Sequence, residues 1–338
     1  MSPSALRTAS KRSIYFEPRR HDKVNATIDQ DDLIRDVITT LAETPKRLNC
    51  KYLYDERGSS LFDQICELPE YYLTRTEQSI MQSNVGEIVR QIGPGALLVE
   101  LGSGSSLKTR LLLDHLEDPL AYLPVDISSD HLLKTTRRLR DIYPDLEIDP
   151  IVGDFTRRID IPPQFADERV CVYFPGSTIG NFPPQEANQL LRIIADRCGN
   201  DGGLLIGFDL QKDRSVLEAA YDDSQGITAA FSLNLLHRLN READATFDVN
   251  RFRHVAFYNA LAERIEIYLE SDREQEVRVG DVVFSFSEGE RIQTEYSHKY
   301  TVAGFAALAA QAGLTQTQVW MDERRYFAVM YLEPNNAG

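Results

Sequence analysis

Short apolar runs separated by amphipathic stretches mark the middle of the chain. Leu97, Leu98 and Val99 suit a buried strand, and Glu100, Leu101, Gly102, Ser103 and Gly104 follow as a tight turn. Ser105 or Ser106 then stands where it can cap a helix reading LKTRLLLDHLE. Further strands are predicted in AYLPVDIS, LEIDPIVGDFT, VCVYFPGSTIGN and GLLIGFDLQKD, so residues 76–209 read as strands and helices alternating in a parallel sheet. Upstream, DDLIRDVITTLAE is a predicted helix. It leads into KYLYDERGSSLFDQICELPEYYLTRTE, where Thr74 and Glu77 have capping-box spacing for the next helix. After residue 213 the texture changes. Residues 214–246 are predicted helical, and 252–300 alternate as an antiparallel sheet does. TVAGFAALAAQAGL is then a helix, and TQTQVWMDERRYFAVMYLE supplies the last strands. The fold class is therefore α/β: a doubly wound, Rossmann-like lobe interrupted by an α+β insertion, which the N-terminal segment joins.

The first strand–turn–helix unit has the order that opens a nucleotide-binding site. Its glycines follow a GxG spacing, without the third glycine of a dinucleotide fingerprint and without the Lys-Ser/Thr pair of a phosphate loop. An acidic Glu100 at the strand end repels pyrophosphate and suits a ligand with positive charge, such as S-adenosylmethionine. Asp126 ends the next run, 24 residues after Gly102, where an acid commonly accepts from a ribose. Asp154 and Phe155 follow the third run, where a carboxylate can accept from an adenine amino group while the ring packs on the base. Each acid taken alone is equally a solvated strand end or a helix cap. Three in succession point to a methyl-donor site.

At 338 residues the chain is long enough for two lobes. No apolar run is long enough to cross a bilayer, and the basic N-terminus lacks the apolar core of a secretory signal. Residues 1–28 are expected to be a disordered lead-in. Cys50, Cys66, Cys171 and Cys198 show no CxxC spacing and read as reduced thiols. The six histidines form no HxxxH pair, so no metal is expected. A net charge of −15 argues against a nucleic-acid partner. The composition suits a cytoplasmic enzyme with a small-molecule substrate and no membrane partner. The oligomeric state is left open, with a monomer favoured.

Across most of residues 30–330, YDERGSSLFDQICELPEYYLTRTE, LVELGSGSSLKTR, VGDF, PGSTIGN, AYDDSQGITAAFSLN and TEYSHKY occur in one order and spacing. In these the chain resembles the histidine-specific, S-adenosylmethionine-dependent Nα-methyltransferases that form hercynine in ergothioneine biosynthesis. The resemblance implies a methyltransferase lobe at 76–209 plus 300–338 and an amino-acid lobe at 29–75 plus 210–299. It implies that one enzyme adds all three methyl groups. It places Tyr71, Gly102, Lys108, Asp126, Asp154 and Phe155 around the donor, with Lys108 meeting the donor's carboxylate. For the amino acid it implicates Tyr54, Gly176, Asn181, Tyr221, Glu295 and Ser297, with Tyr54, Asn181 and Tyr221 orienting the substrate. Glu295 and Ser297 are two apart, so on a strand both face one side, where a carboxylate and a hydroxyl can clasp an imidazole.

Ile267, in ERIEIYL, departs from the pattern, because the histidine enzymes carry methionine there while relatives act on tryptophan. Glu295 favours histidine, since an indole offers a buried carboxylate only one N–H. In the implied mechanism a neutral amine attacks a sulfonium methyl in line. A nearby sulfonium lowers the amine pKa, and water or a tyrosine oxygen takes the proton. No dedicated base is expected. Orientation dominates, with the Tyr54 and Tyr71 rings steadying the growing methylammonium. Other readings are a tryptophan methyltransferase, a non-catalytic amino-acid-binding module and a serine hydrolase using Ser177, the last without a GxSxG elbow.

Overall fold

The computed structural model describes residues 30–104 and 107–335. The expected lead-in over 1–28 and the expected cap at Ser105 or Ser106 lie outside these residues. The elements run α1 (Gln30–Leu41), α2 (Glu56–Glu67), α3 (Tyr72–Ile92), β1 (Leu97–Leu101), α4 (Leu107–Leu113), β2 (Ala121–Asp126), α5 (Ser129–Ile142), β3 (Glu147–Ile148), β4 (Ile151–Val152), β5 (Val170–Phe174), α6 (Pro184–Cys198) and β6 (Gly203–Asp209). Then follow α7 (Arg214–Tyr221), α8 (Ile227–Glu242), β7 (Phe252–Asn259), β8 (Arg264–Ser271), β9 (Gln275–Val279), β10 (Val282–Phe286), β11 (Arg291–His298), α9 (Val302–Gln311), β12 (Leu314–Met321) and β13 (Phe327–Pro334).

Among the described residues the main sheet has eight strands in the order β12-β13-β6-β5-β1-β2-β3, with β4 also on β2. Strands β1, β2, β5 and β6 are parallel, and β13 returns antiparallel to β6. Every residue of β1, β5 and β6 is buried, as unbroken apolar runs covered on both faces require. One face packs Leu97, Val99 and Leu101 against Leu191 and Ile194 of α6 and Phe305 of α9. The other sets Leu98, Tyr173 and Leu205 against Ile80 and Ile88 of α3. This second core runs on without a break into Leu235 of α8 and Ile267 of β8. The inserted and doubly wound parts therefore share a core.

Strands β11, β8 and β7 form an antiparallel sheet, and β9 pairs with β10. The N-terminal segment is stitched to this insertion: Leu48 N–H donates to Gln293 O at 2.8 Å, and Gln293 N–H donates to Lys46 O at 2.9 Å. Asp55 caps α2 by accepting from Gly58 N–H, and its carboxylate also accepts from Asn234 of α8. These ties bring residues some 180 positions apart to one wall.

Candidate active site

A pocket lies at the C-terminal edge of the parallel strands, beyond β5, where ligands of doubly wound sheets bind. Its wall draws on both parts of the fold. Tyr54 precedes α2, and Phe62 and Ile65 lie on it. Tyr71 immediately precedes α3. Gly176, Ser177, Thr178 and Asn181 come from the loop after β5. Ala220 and Tyr221 end α7, Thr228 and Phe231 lie on α8, Ile267 on β8, and Glu295 and Ser297 on β11. All of the residues expected to meet the amino acid, namely Tyr54, Gly176, Asn181, Tyr221, Ile267, Glu295 and Ser297, share this one pocket. Tyr71, expected at the donor, lines it too.

Local chemistry explains how each residue gets there. Gly176 has φ +78°, which a side chain strongly disfavours, and the chain then folds into the short turn Thr178–Asn181. Thr178 Oγ1 donates to Pro175 O at 2.9 Å and closes that turn. Arg75 Nη1 donates to Leu68 O and Tyr71 O, both at 3.0 Å, fixing the backbone that presents Tyr71. His254 Nε2 lies 2.9 Å from Tyr221 O and holds the end of α7.

The aromatic wall is a set of edge-on contacts. Tyr54 meets Phe62 at 5.5 Å and Phe231 at 5.4 Å between ring centres. Tyr71 meets Phe62 at 6.2 Å and Tyr221 at 6.0 Å. Burial pushes the phenols of Tyr54 and Tyr71 well above their ordinary value, and that of Tyr221 upward against the opposing pull of Lys299. All three therefore stay protonated near neutrality. They can orient a substrate, but none supplies a phenolate base. Phe62 and Phe231 were not anticipated from sequence, because an isolated phenylalanine on an amphipathic helix reads as core.

The polar wall centres on Tyr221 and Ser297, whose hydroxyl oxygens lie 2.8 Å apart. Lys299 Nζ donates to Tyr221 Oη at 2.9 Å and to Ser297 Oγ at 2.8 Å, and pairs with Asp209 Oδ2 at 2.8 Å. Lys299 and Asp209 are fully buried side chains. Glu295 faces the same pocket with no hydrogen-bonded partner among the described residues. Burial pushes its carboxyl up to about 7, opposed by the Lys299 cation. Lys299 was also missed from sequence. The only signal was that 295, 297 and 299 continue one alternation.

Among the residues expected at the donor, Gly102 has φ +70°, and the edge of the Phe155 ring lies 3.9 Å from where its Cβ would sit. Asp126 accepts from Ser128 N–H at 2.9 Å and from Gly104 N–H at 3.4 Å, so it shapes the glycine turn. Asp154 Oδ1 accepts from Thr156 N–H at 3.0 Å, and its Oδ2 lies 3.7 Å from Lys51 Nζ. Phe155 packs edge-on against Phe174 at 5.5 Å. Lys108 pairs with Glu77 of α3 and lies beside Gly176, so it links α4 to the loop that lines the pocket.

One sequence expectation is corrected. Thr74 and Glu77 form no capping box, because α3 begins at Tyr72 and both lie inside it. Glu77 is instead fully buried, where its carboxylate accepts from Gly176 N–H at 3.0 and 3.1 Å besides pairing with Lys108. Glu100 is buried near the end of β1. Its buried carboxyl accepts from Thr109 Oγ1 at 2.6 Å and from the Tyr122 hydroxyl, tying α4 to β1 and β2. The hydroxyl oxygen of Ser177 accepts Asp209 N–H at 2.9 Å and so supports the turn after β5. The four cysteines are free, two of them buried. Among the described residues no group of His, Cys, Asp or Glu is placed to hold a metal, and no helix is long and apolar enough to cross a membrane.

Comparison with known proteins covers nearly all of this architecture. A family model described as histidine-specific methyltransferase, SAM-dependent, matches residues 33–334. The histidine N-alpha-methyltransferase of Mycolicibacterium smegmatis is 43% identical over 295 residues, which span 86% of this chain and 91% of that protein. The protein of the same name from Mycobacterium tuberculosis is 41% identical over 302 residues, spanning 88% of this chain and 93% of that one. Ergothioneine biosynthesis protein 1 of Neurospora crassa is 31% identical over 301 residues, 83% of this chain but 32% of that protein.

Proposed function

We propose that this chain, which belongs to the family of histidine-specific, S-adenosylmethionine-dependent methyltransferases, transfers three methyl groups in turn to the α-amino nitrogen of L-histidine and releases hercynine. The observation that carries the reading is the pairing of a carboxylate, Glu295, with a hydroxyl, Ser297, on one wall of an otherwise aromatic pocket. A hydroxyl and a carboxylate can satisfy both imidazole nitrogens. An indole has one N–H and would leave part of this polar wall unpaired, which is costly in a closed site. Ile267 keeps the facing wall apolar and is the feature that favours tryptophan as the second reading.

The residues present fit S-adenosylmethionine. The Gly102 turn leaves a wall without a side chain beside Phe155, and the Asp126 and Asp154 carboxylates stand near strand ends with lone pairs to spare. We assign Gly102, Asp126, Asp154, Phe155, Lys108 and Tyr71 to holding it. When bound, it supplies an electrophilic sulfonium methyl.

The chain's own work is orientation. Tyr54, Asn181 and Tyr221 hold the main-chain end of the amino acid, while Glu295 and Ser297 hold its ring. Only an uncharged amine is nucleophilic, so a proton must leave first. Burial holds the pocket tyrosines protonated, so the proton goes to water, directly or relayed across a tyrosine oxygen. The rings of Tyr54 and Tyr71 face a nitrogen that gains fixed positive charge, and cation–π attraction of about 0.5–2 kcal/mol per ring favours that change. Fixing both reactants is the main source of rate. We further propose that the amino-acid lobe comprises 29–75 plus 210–299, that the donor lobe comprises 76–209 plus 300–338, and that the enzyme works in the cytoplasm, where its free thiols stay reduced.

The test offers each of the twenty amino acids with S-adenosylmethionine and reads products by mass spectrometry. Methylation of histidine alone supports the reading. Methylation of tryptophan with histidine untouched replaces it.

A further inference from the structure

Lys299 touches no bulk solvent, and its side chain is 0% exposed. An ammonium carries three N–H donors and no acceptor. Here three acceptors take them: Tyr221 Oη at 2.9 Å, Ser297 Oγ at 2.8 Å and Asp209 Oδ2 at 2.8 Å. Tyr221 and Ser297 also bond to each other at 2.8 Å, which uses one of their two hydroxyl protons. The other proton has no partner inside the cluster. Tyr221 and Ser297 both line the pocket, so that proton is free to turn toward it.

Asp209 has partners besides Lys299. Lys212 Nζ lies 2.6 Å from Asp209 Oδ1, and Tyr72 Oη donates to Asp209 Oδ2 at 2.7 Å. Two ammonium groups thus flank one carboxylate, and of the two it is the Lys299 cation that sits directly behind Tyr221 and Ser297, facing the Glu295 carboxyl across the pocket wall. That charge weakens the two oxygens as acceptors and strengthens their remaining O–H as a donor. The Glu295 carboxylate lines the pocket with them and, when ionised, only accepts.

We propose that Lys299 is a positioning residue for the substrate ring: it turns the free O–H of the Tyr221–Ser297 pair, carried on Ser297, into the pocket beside the Glu295 carboxylate, so that the pocket takes a neutral azole with one bare nitrogen and one N–H. The inference rests on the reading of the substrate as histidine and assigns that ring its protonation state. Lys299 itself touches neither reactant.

The experiment is a mutant cycle on purified full-length enzyme with histidine and S-adenosylmethionine, together with donor affinity by calorimetry. Parent turnover of histidine is measured first, because its absence overturns the histidine reading and this inference with it. With an active parent, Lys299→Met is expected to lower kcat/KM for histidine about thirty- to a hundredfold, mainly through KM, as for a lost charge-assisted contact. Donor affinity should stay within about twofold. Lys299→Gln keeps N–H donors and should lose less than about tenfold. In a Tyr221→Phe/Ser297→Ala background, Lys299→Met should cost less than about threefold more, because the groups through which it acts are gone. An unchanged KM in Lys299→Met, an equal loss in both backgrounds, or a parallel loss of donor affinity overturns the proposal. Failure of both Lys299→Met and Lys299→Gln to fold also overturns it, since the lysine would then serve the fold.

Discussion

Glu295 on β11 and Ile267 on β8 are register partners across an antiparallel ladder, and both side chains line the same pocket. The ladder shifts register between Gln293 and Glu295, one step before this pair. One ladder position therefore sets a carboxylate against an aliphatic wall. A change at either residue reshapes the space available to the other's ligand contacts.

The first prediction concerns this pair. Glu295→Ala leaves imidazole nitrogens unsatisfied in a closed pocket, at about 1–3 kcal/mol, so the histidine KM should rise about ten- to a hundredfold. Donor affinity should be nearly unchanged, and tryptophan turnover should appear or rise. Ile267→Val, by enlarging the wall, should assist the switch. Paired kinetics for parent, single and double variants give the answer. An unchanged histidine KM in Glu295→Ala would remove Glu295 as the reader of the ring.

The second concerns pH. Burial lifts the Glu295 carboxyl from its ordinary 4.5 to about 7. The native state then holds a proton that the unfolded chain releases, so this group's contribution to stability is full below 4.5 and is lost as pH rises through about 7. Melting temperatures at about pH 5.5 and about pH 8 should differ more for the parent than for Glu295→Gln. Glu100, lifted to about 7 by burial as well, is common to both proteins and cancels. Equal differences would show that Glu295 is not titrating in this window. Because Glu295 must ionise and the amine must lose a proton, kcat/KM for histidine should climb from about pH 6 to about pH 8. A bell-shaped profile abolished by one histidine substitution would contradict a mechanism without a dedicated base.

The third concerns the donor. Asp126→Ala should weaken S-adenosylmethionine by roughly 1.5–3 kcal/mol, as for a lost hydrogen bond to a charged group. Calorimetry on the folded variant decides. Unchanged affinity would take Asp126 out of the site and leave it only its contacts with Ser128 and Gly104 N–H.

The fourth concerns Glu77, which holds Lys108 and Gly176 at once. A Cβ on Gly207 would lie 2.1 Å from Glu77 Oε1, so this strand position must stay bare for the carboxylate to sit there. Gly207→Ala should therefore destabilise by about 1–3 kcal/mol through overpacking and weaken donor binding through displaced Lys108. Urea unfolding and calorimetry are the two readouts. Full donor affinity in a destabilised variant would separate Glu77 from the donor site.

Much of this was legible in the sequence, for physical reasons. Parallel strands buried on both faces leave unbroken apolar runs, and β1, β2, β5 and β6 fall where those runs predicted them. That Glu295 and Ser297 line one pocket was legible because they sit two apart on one strand face. Lys299, Phe62 and Phe231 were not, since their roles arise only when distant segments meet. Glu77 was misread because a local spacing rule suggested a cap. Its burial beside Lys108, 31 residues away, is a tertiary effect. The partners of Glu100, Thr109 and Tyr122, likewise lie on neighbouring elements and could not be read locally.

The central claim is that one pocket carries histidine through successive methylations. Its most direct measurement is a time course of histidine with excess S-adenosylmethionine, followed by mass spectrometry, with dimethylhistidine as a second starting substrate. The account predicts that histidine ends as the trimethylated betaine and that dimethylhistidine is accepted and completed. Arrest after a single methyl, or refusal of dimethylhistidine, would contradict it.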